Sequence, residues 1–215
     1  MYDSGPMEHN TAFVFPGQGS QYTGMGKDVA EAFPAARRVF DDIDAALGFS
    51  ISRLCFEGPD DQLKLTENTQ PAILAVSSAI HAVLEENGAT RRDVVAGHSL
   101  GEYSAIVSVG GLTAADASQI VRMRGRFMQE AVPVGTGGMA ALIGTTVEEA
   151  RAICEEAAEG EILSVANINA PGQIVIAGTK NAIDRAIAVA KAHGVRRALP
   201  LPVSAPFHCE LMKPA

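Results

Sequence analysis

Asp93-Val94-Val95-Ala96-Gly97-His98-Ser99-Leu100-Gly101-Glu102, residues 93–102, is the stretch from which the fold of this chain is read. Its apolar start predicts a short buried strand, and the run Glu102–Val109 predicts a helix. Between them Gly97-x-Ser99-x-Gly101 supplies a strand-to-helix turn sharp enough to push a serine hydroxyl outward. Backbone N–H groups at the helix start, beginning with Leu100, point where an oxyanion would develop. The same five residues also fit a plain tight turn, so the pattern alone leaves both readings open.

Upstream, Phe13-Val14-Phe15 predicts a second buried strand running into the Gly-rich loop Pro16-Gly17-Gln18-Gly19-Ser20-Gln21. Neither GxGxxG nor GxxxxGK[ST] is present, which argues against a nucleotide site and leaves a loop of backbone donors beside the serine. Helical patterns follow over about 28–47 and again from Pro71, where Ile73, Val76, Ile80, Val83 and Leu84 share a face, up to Gly88. Thr113 and Asp116 resemble a capping box that opens a helix to about Ala131. On that helix Ala117, Ile120, Val121, Phe127, Met128 and Ala131 form an apolar stripe, with Arg124 inside it and Arg122 and Arg126 opposite. A guanidinium aimed inward needs an anion. A structural ion pair and a clamp for a substrate carboxylate both satisfy that need.

Beyond Pro133–Gly138 the pattern changes to strand (Met139–Ile143), helix (Val147–Ala158), strand (Ile162–Ile168), a turn at Ala170-Pro171-Gly172, strand (Gln173–Ala177), helix (Asn181–His193) and strand (Arg196–Val203). The order βαββαβ is that of a ferredoxin-like unit. The expected organisation is a loose leader at 1–10, a large α/β subdomain at 11–133 and 204–215, and the ferredoxin-like subdomain inserted at 134–203.

The 215 residues, 47% hydrophobic and 20% charged, suffice for such a core without disulfides. A net charge of -8 argues against chain-wide attraction to nucleic acid or an anionic membrane. Any acidic partner must meet a local cluster such as Arg91-Arg92, Arg122 to Arg126 or Arg196-Arg197. Cys55, Cys154 and Cys209 are odd in number and lack metal-ligand spacing, as a reduced cytoplasmic compartment would allow, and no metal is expected. A serine nucleophile needs a base. Of the histidines, His98 adjoins Ser99 on a tight turn and would diverge from it, His9 is in the leader, and His81 and His193 fall in helices. His208 follows Ser204-Ala205-Pro206-Phe207 just past a strand end, a position that suits a catalytic base or an ordinary loop histidine.

FVFPGQGSQ (13–21), TQPAI (69–73), AGHSLGEYSA (96–105), MRGRFMQEAVP (123–133), NAPGQIVIAG (169–178) and LPLPVSAPFHCELMKPA (199–215), taken as an ordered set, resemble the bacterial malonyl-CoA:acyl-carrier-protein transacylases. The resemblance implies an α/β-hydrolase-like large subdomain with a ferredoxin-like insert. It implies Ser99 as the nucleophile, His208 as its base, the Gln18 and Leu100 backbone N–H groups as the oxyanion hole, and Arg124 as the binder of the malonyl carboxylate. Gln70 would line the same cleft, and Phe207 resembles the bulky residue that crowds out an α-methyl group. Malonyl-CoA and acyl carrier protein are the implied partners, for a cytoplasmic monomer with no cofactor beyond the coenzyme A thioester substrate. Family members continue past the position of Ala215, so the large subdomain looks cut short; if that remainder is physically absent, an exposed sheet edge, poor stability and little turnover are expected. Two competing readings are a serine hydrolase, whose order Ser–acid–His would nominate Asp184, and a fragment that binds coenzyme A or carrier protein without turnover.

Overall fold

The computed structural model of the chain describes residues 11–89, 91–133, 135–201, 203 and 205–215; the leader expected at 1–10 lies outside them. The chain divides into two compact units, one ending at Gly125 and the other spanning Arg126–Ala215.

The first unit opens with β1 (Ala12–Phe15) and continues through α1 (Lys27–Ala32), α2 (Pro34–Leu47), α3 (Ile51–Glu57), α4 (Asp60–Leu63) and α5 (Thr66–Glu86). It then returns as β2 (Val94–Gly97), α6 (Gly101–Ser108) and most of α7 (Ala114–Ala131). β1 and β2 pair in parallel, Ala12 opposite Val94 and Phe15 opposite Gly97. The core is helical: Phe40 and Ile43 of α2, Ile51 and Cys55 of α3 and Leu74 of α5 are fully buried together. The single helix expected over 28–47 is two, because Phe33 is extended and Pro34 restarts the helix at its first position, where proline is best tolerated.

Helix α5 begins at Thr66, five positions ahead of the Pro71 start that apolar spacing suggests. Its first turns are polar and nonetheless buried. Hydrogen bonds carry them: Asn68 Nδ2 donates to the Gln62 carbonyl at 3.0 Å and Thr69 Oγ1 to that of Leu63 at 2.6 Å. At the start of α7 the expected cap is present, with the Asp116 N–H donating to Thr113 Oγ1 at 3.0 Å.

The second unit is β3 (Gly137–Ile143), α8 (Val147–Ala158), β4 (Leu163–Ala170), β5 (Gln173–Thr179), α9 (Lys180–Ala190), β6 (Arg197–Pro200) and a 3-10 turn at Glu210–Met212. All pairings are antiparallel in the order β4-β5-β3-β6, the ferredoxin-like arrangement that the βαββαβ pattern predicts. Alternation decides the two faces. Ala140, Leu142, Ile174 and Ile176 pack beneath α8 and α9. Met139, Ala141, Val175 and Ala177 form the other face, against Met128, Ala205 and Phe207. Ala205 and Phe207, in the segment after β6, thus pack on this sheet. A full capping box starts α8: Glu149 N–H donates to Thr146 Oγ1, and Thr146 N–H to the Glu149 carboxylate, which this bonding holds below the ordinary carboxylate range.

Candidate active site

β2 ends at Gly97 and α6 begins at Gly101, so three residues make the whole turn. Ser99, in the middle, adopts φ 52°, a left-handed conformation that costs a β-carbon-bearing residue roughly 1–2 kcal/mol. The turn is this tight because both glycines allow backbone to approach backbone. A β-carbon on Gly97 would lie 1.9 Å from the Gly101 carbonyl carbon, and one on Gly101 would lie 2.2 Å from the Phe15 carbonyl oxygen. Leu100 is already helical (φ -54°, ψ -37°), so its N–H is among the first-turn donors that find no acceptor inside α6.

The loop after β1 closes onto this turn. The His98 N–H donates to the Phe15 carbonyl at 3.0 Å, and Gly17 sits so near that a β-carbon there would be 2.5 Å from the His98 carbonyl oxygen. That contact fixes the backbone of Gln18, the next residue. The Gln18 amide Nε2 donates to Thr66 Oγ1 at 3.3 Å, at the first turn of α5.

One turn further along α5 is Gln70, 1% exposed. Its Oε1 accepts from Arg124 Nη1 at 2.6 Å, while Arg124 Nη2 donates to Ser99 Oγ at 3.3 Å. Tyr103 of α6 places its ring 5.9 Å from the guanidinium carbon. Arg124 is half-buried, and burial lowers its pKa from the ordinary arginine value, with Tyr103 and Glu102 acting in the opposite sense. Among the described residues no acidic side chain lies within ion-pair distance of it. The structural ion pair that competed for this arginine thus has no partner among them.

The inward direction of Arg124 agrees with the stripe, but the stripe itself is narrower than its spacing suggests. Ala117, Val121 and Met128 are buried, whereas Ile120 and Phe127 are exposed. Arg122, expected to project away, lies flat on Phe49 with its guanidinium carbon 4.1 Å from the ring centroid. Thr66 and Tyr103 are site neighbours that the sequence reading did not single out. Tyr103 stands inside the AGHSLGEYSA segment, and Thr66 carries no signal of its own.

The remaining expected site residues belong to the second unit. His208 is exposed and adopts φ 59°, a second left-handed position in a residue other than glycine. Phe207 is buried against Met128, Met139, Ala141 and Val175. Asp184, the acid a hydrolase order would nominate, is on α9 and is ion-paired with Lys180 one turn away. Among the described residues no three His, Cys, Asp or Glu side chains come together as a metal site, and no helix is long and apolar enough to cross a membrane.

A serine on a strained strand-to-helix elbow, with a ferredoxin-like unit later in the chain, defines an α/β protein of the nucleophile-elbow class. The chain belongs to the acyl transferase domain family, whose profile matches residues 12–215. It is 53% identical over 204 residues to the malonyl CoA-acyl carrier protein transacylase of Escherichia coli strain K12, covering 95% of this chain and 66% of that one. The malonyl CoA-acyl carrier protein transacylase of Coxiella burnetii superimposes with a TM-score of 0.93 at 44% identity, over 95% of this chain and 65% of that one. A malonyl-transacylase in complex with a type II PKS acyl-carrier protein gives 0.93 at 49% identity, over 96% and 67%. The chain therefore spans just under two thirds of the first two relatives.

Proposed function

We propose that this chain carries the acyl-enzyme chemistry of a malonyl-CoA:acyl-carrier-protein transacylase, acting in the cytoplasm as a monomer. The observation that carries the reading is the hydrogen bond from a half-buried arginine, held by buried Gln70, to the hydroxyl of Ser99 on its strained turn. A thioester carbonyl placed at Ser99 Oγ would leave a carboxylate two bonds further on within reach of the same guanidinium.

In the proposed reaction Ser99 Oγ attacks the thioester carbonyl of malonyl-CoA and His208 takes the hydroxyl proton. Negative charge on the carbonyl oxygen is met by the Gln18 and Leu100 N–H groups. The carbon–sulfur bond breaks, and the departing coenzyme A sulfur takes the proton from His208. The phosphopantetheine thiol of acyl carrier protein then attacks the serine ester, with the same groups acting in reverse. One thioester is exchanged for another, so the step is close to isoenergetic and calls on no redox or metal cofactor.

Arg124 supplies selectivity. An acetyl group would leave the guanidinium with only neutral partners, and a site built to pair a charged group rejects an analogue lacking it by a large factor. Replacement of Phe207 by a smaller residue tests whether its bulk helps exclude an α-methyl donor.

Intact-mass measurement after incubation with malonyl-CoA should show a malonyl adduct on the wild-type chain and none on Ser99→Ala. An adduct that persists in Ser99→Ala would overturn the assignment. Arg124→Ala should lose the preference for malonyl over acetyl donors by about a hundredfold or more. Unchanged selectivity would remove the clamp from the reading.

A further inference from the structure

Thr66 takes no part in the reaction described above, yet it stands where two of the groups that reaction relies on are held. It is the first residue of α5 and only 2% exposed, and a hydroxyl buried at a helix start needs polar company. Its Oγ1 accepts from Gln18 Nε2 at 3.3 Å. Four residues on, one turn along the same side of α5, Gln70 Oε1 accepts from Arg124 Nη1 at 2.6 Å.

The backbone makes a second contact at the same point. Gly125, next to Arg124 on α7, lies so close to α5 that a β-carbon there would be 2.7 Å from the Thr66 carbonyl oxygen and 2.8 Å from Glu67 Cα. Glycine inside a helix is unfavourable on its own account, and this close approach explains its place in α7. The first turn of α5 thus meets the loop after β1 through a side chain and the helix that carries Arg124 through its backbone.

The loop itself shows what the Gln18 anchor controls. Ser20 donates to the Gly17 carbonyl twice, from its N–H at 3.4 Å and from Oγ at 2.9 Å, and the Gly19 N–H donates to Gln21 Oε1 at 2.7 Å. The Gln18 N–H is left with no acceptor among the described residues, as a donor kept for an oxyanion must be. Gly19 follows it at φ 108°, a conformation open to glycine that does little to hold its neighbour. The Gln18 backbone is therefore pinned on one side by the Gly17–His98 approach, and its side chain is tied to Thr66.

We propose that Thr66 is a positioning residue for acyl transfer. Its hydroxyl holds the Gln18 side chain and so aims the Gln18 N–H at the thioester carbonyl oxygen, while the turn it opens keeps that donor in register with Arg124. The role rests on the transacylase reading above for the reaction it serves. It adds a residue that acts through Gln18 and explains why the start of α5 is polar and buried.

The test is the rate of serine malonylation by malonyl-CoA on the full chain, with thermal midpoints to show that each variant is folded. Thr66→Val keeps the shape and removes the hydroxyl. It should lower the saturating rate about tenfold and leave the half-saturating malonyl-CoA concentration within about twofold of wild type, because the donor acts on charge that develops in the transition state. Thr66→Ser keeps the hydroxyl and should restore most of the rate. Gln18→Ala should slow the reaction by a factor similar to that of T66V, and T66V/Q18A should be no slower than either alone, since both remove one link.

A wild-type rate in T66V would overturn the proposal. So would T66S as slow as T66V, which would assign Thr66 to packing, or effects of T66V and Q18A that multiply, which would place its action elsewhere than on Gln18. Should T66V lose its fold, Q18A decides alone, and a wild-type rate there overturns the proposal. If wild type takes no malonyl group, the transacylase reading falls. The same variants compared with p-nitrophenyl acetate, which calls only on the serine, its base and the oxyanion donors, still decide Thr66, and a serine silent toward both reagents overturns the proposal as well.

Discussion

The two units solve the same packing problem in opposite ways. In the second, four antiparallel strands follow one another closely in sequence, both sheet faces are covered, and Ile176 in the centre is 0% exposed. In the first, two parallel strands are separated by five helices, and the buried core lies among those helices. β1 contributes Phe15 to the buried set, while Val14 is 73% exposed and Val94 on β2 is 57% exposed. Beside them Phe13, Phe15, Tyr22, Val76, Ile80 and Leu84 line an apolar hollow of about 370 Å³. A parallel pair is normally flanked by further strands and covered on both faces. Strand residues in the first unit thus serve chiefly to present a loop and an elbow, whereas in the second they carry the core.

The largest expected effect falls where backbone meets backbone. Gly101→Ala would drive a β-carbon into the Phe15 carbonyl and should cost the chain more than about 4 kcal/mol, read as a collapsed denaturant midpoint. A wild-type midpoint would mean that the first unit yields easily at its elbow, breaking the contrast drawn above.

Next in size is Ile176→Ala, which should cost about 2–5 kcal/mol by removing a fully buried side chain from the second sheet. Denaturation followed by circular dichroism measures it. A loss below 1 kcal/mol would show that the second sheet is less tightly packed than its two filled faces imply.

Acid should weaken the first unit through His81. Its ring contacts those of Phe13 and Phe15, with centroids 5.8 and 6.4 Å away, and burial lowers its pKa, with Glu85 opposing the effect and Arg92 adding to it. Because the folded-state pKa lies below that of the unfolded chain, the stability from a neutral His81 is complete above the ordinary histidine range. It is lost as pH falls through that range, about 6.5, toward the lower folded value. Thermal midpoints at neutral and mildly acidic pH should therefore diverge for wild type and diverge less for His81→Gln; equal divergence would locate the acid sensitivity elsewhere.

The smallest effect is expected at Val14→Thr, within about 0.5 kcal/mol of wild type, because that side chain is largely in water already. A cost comparable with that of Ile176→Ala would mean Val14 is covered in solution.

What the sequence disclosed follows the same division. The second unit was legible almost strand by strand because period-2 alternation and a Thr–Glu capping box are local signals. The elbow was legible as a tight strand-to-helix turn because two glycines flank the serine between an apolar run and a helical one, and Arg124 because its place in an apolar stripe demands an explanation. The start of α5 was not legible. Thr66, Asn68, Thr69 and Gln70 are buried; Asn68 and Thr69 donate to the Gln62 and Leu63 carbonyls six residues upstream, while Thr66 and Gln70 accept from Gln18 and Arg124, and apolar periodicity carries no trace of a buried polar turn. The widths of the α7 stripe and of the Arg122–Phe49 contact depend on neighbours far away in sequence, which spacing along one helix does not encode.

Ser99 and His208, at φ 52° and 59°, occupy backbone positions that glycine or asparagine fills at lower cost. With the roles proposed for Ser99 and His208, abundance and activity are opposed at these two positions. In a selection for folded protein alone, Ser99→Gly and His208→Asn should be enriched, while a selection for acyl transfer should eliminate them. A lineage released from its chemistry would be expected to drift at these two sites first, so their identity in any descendant serves as a record of whether catalysis is still being maintained.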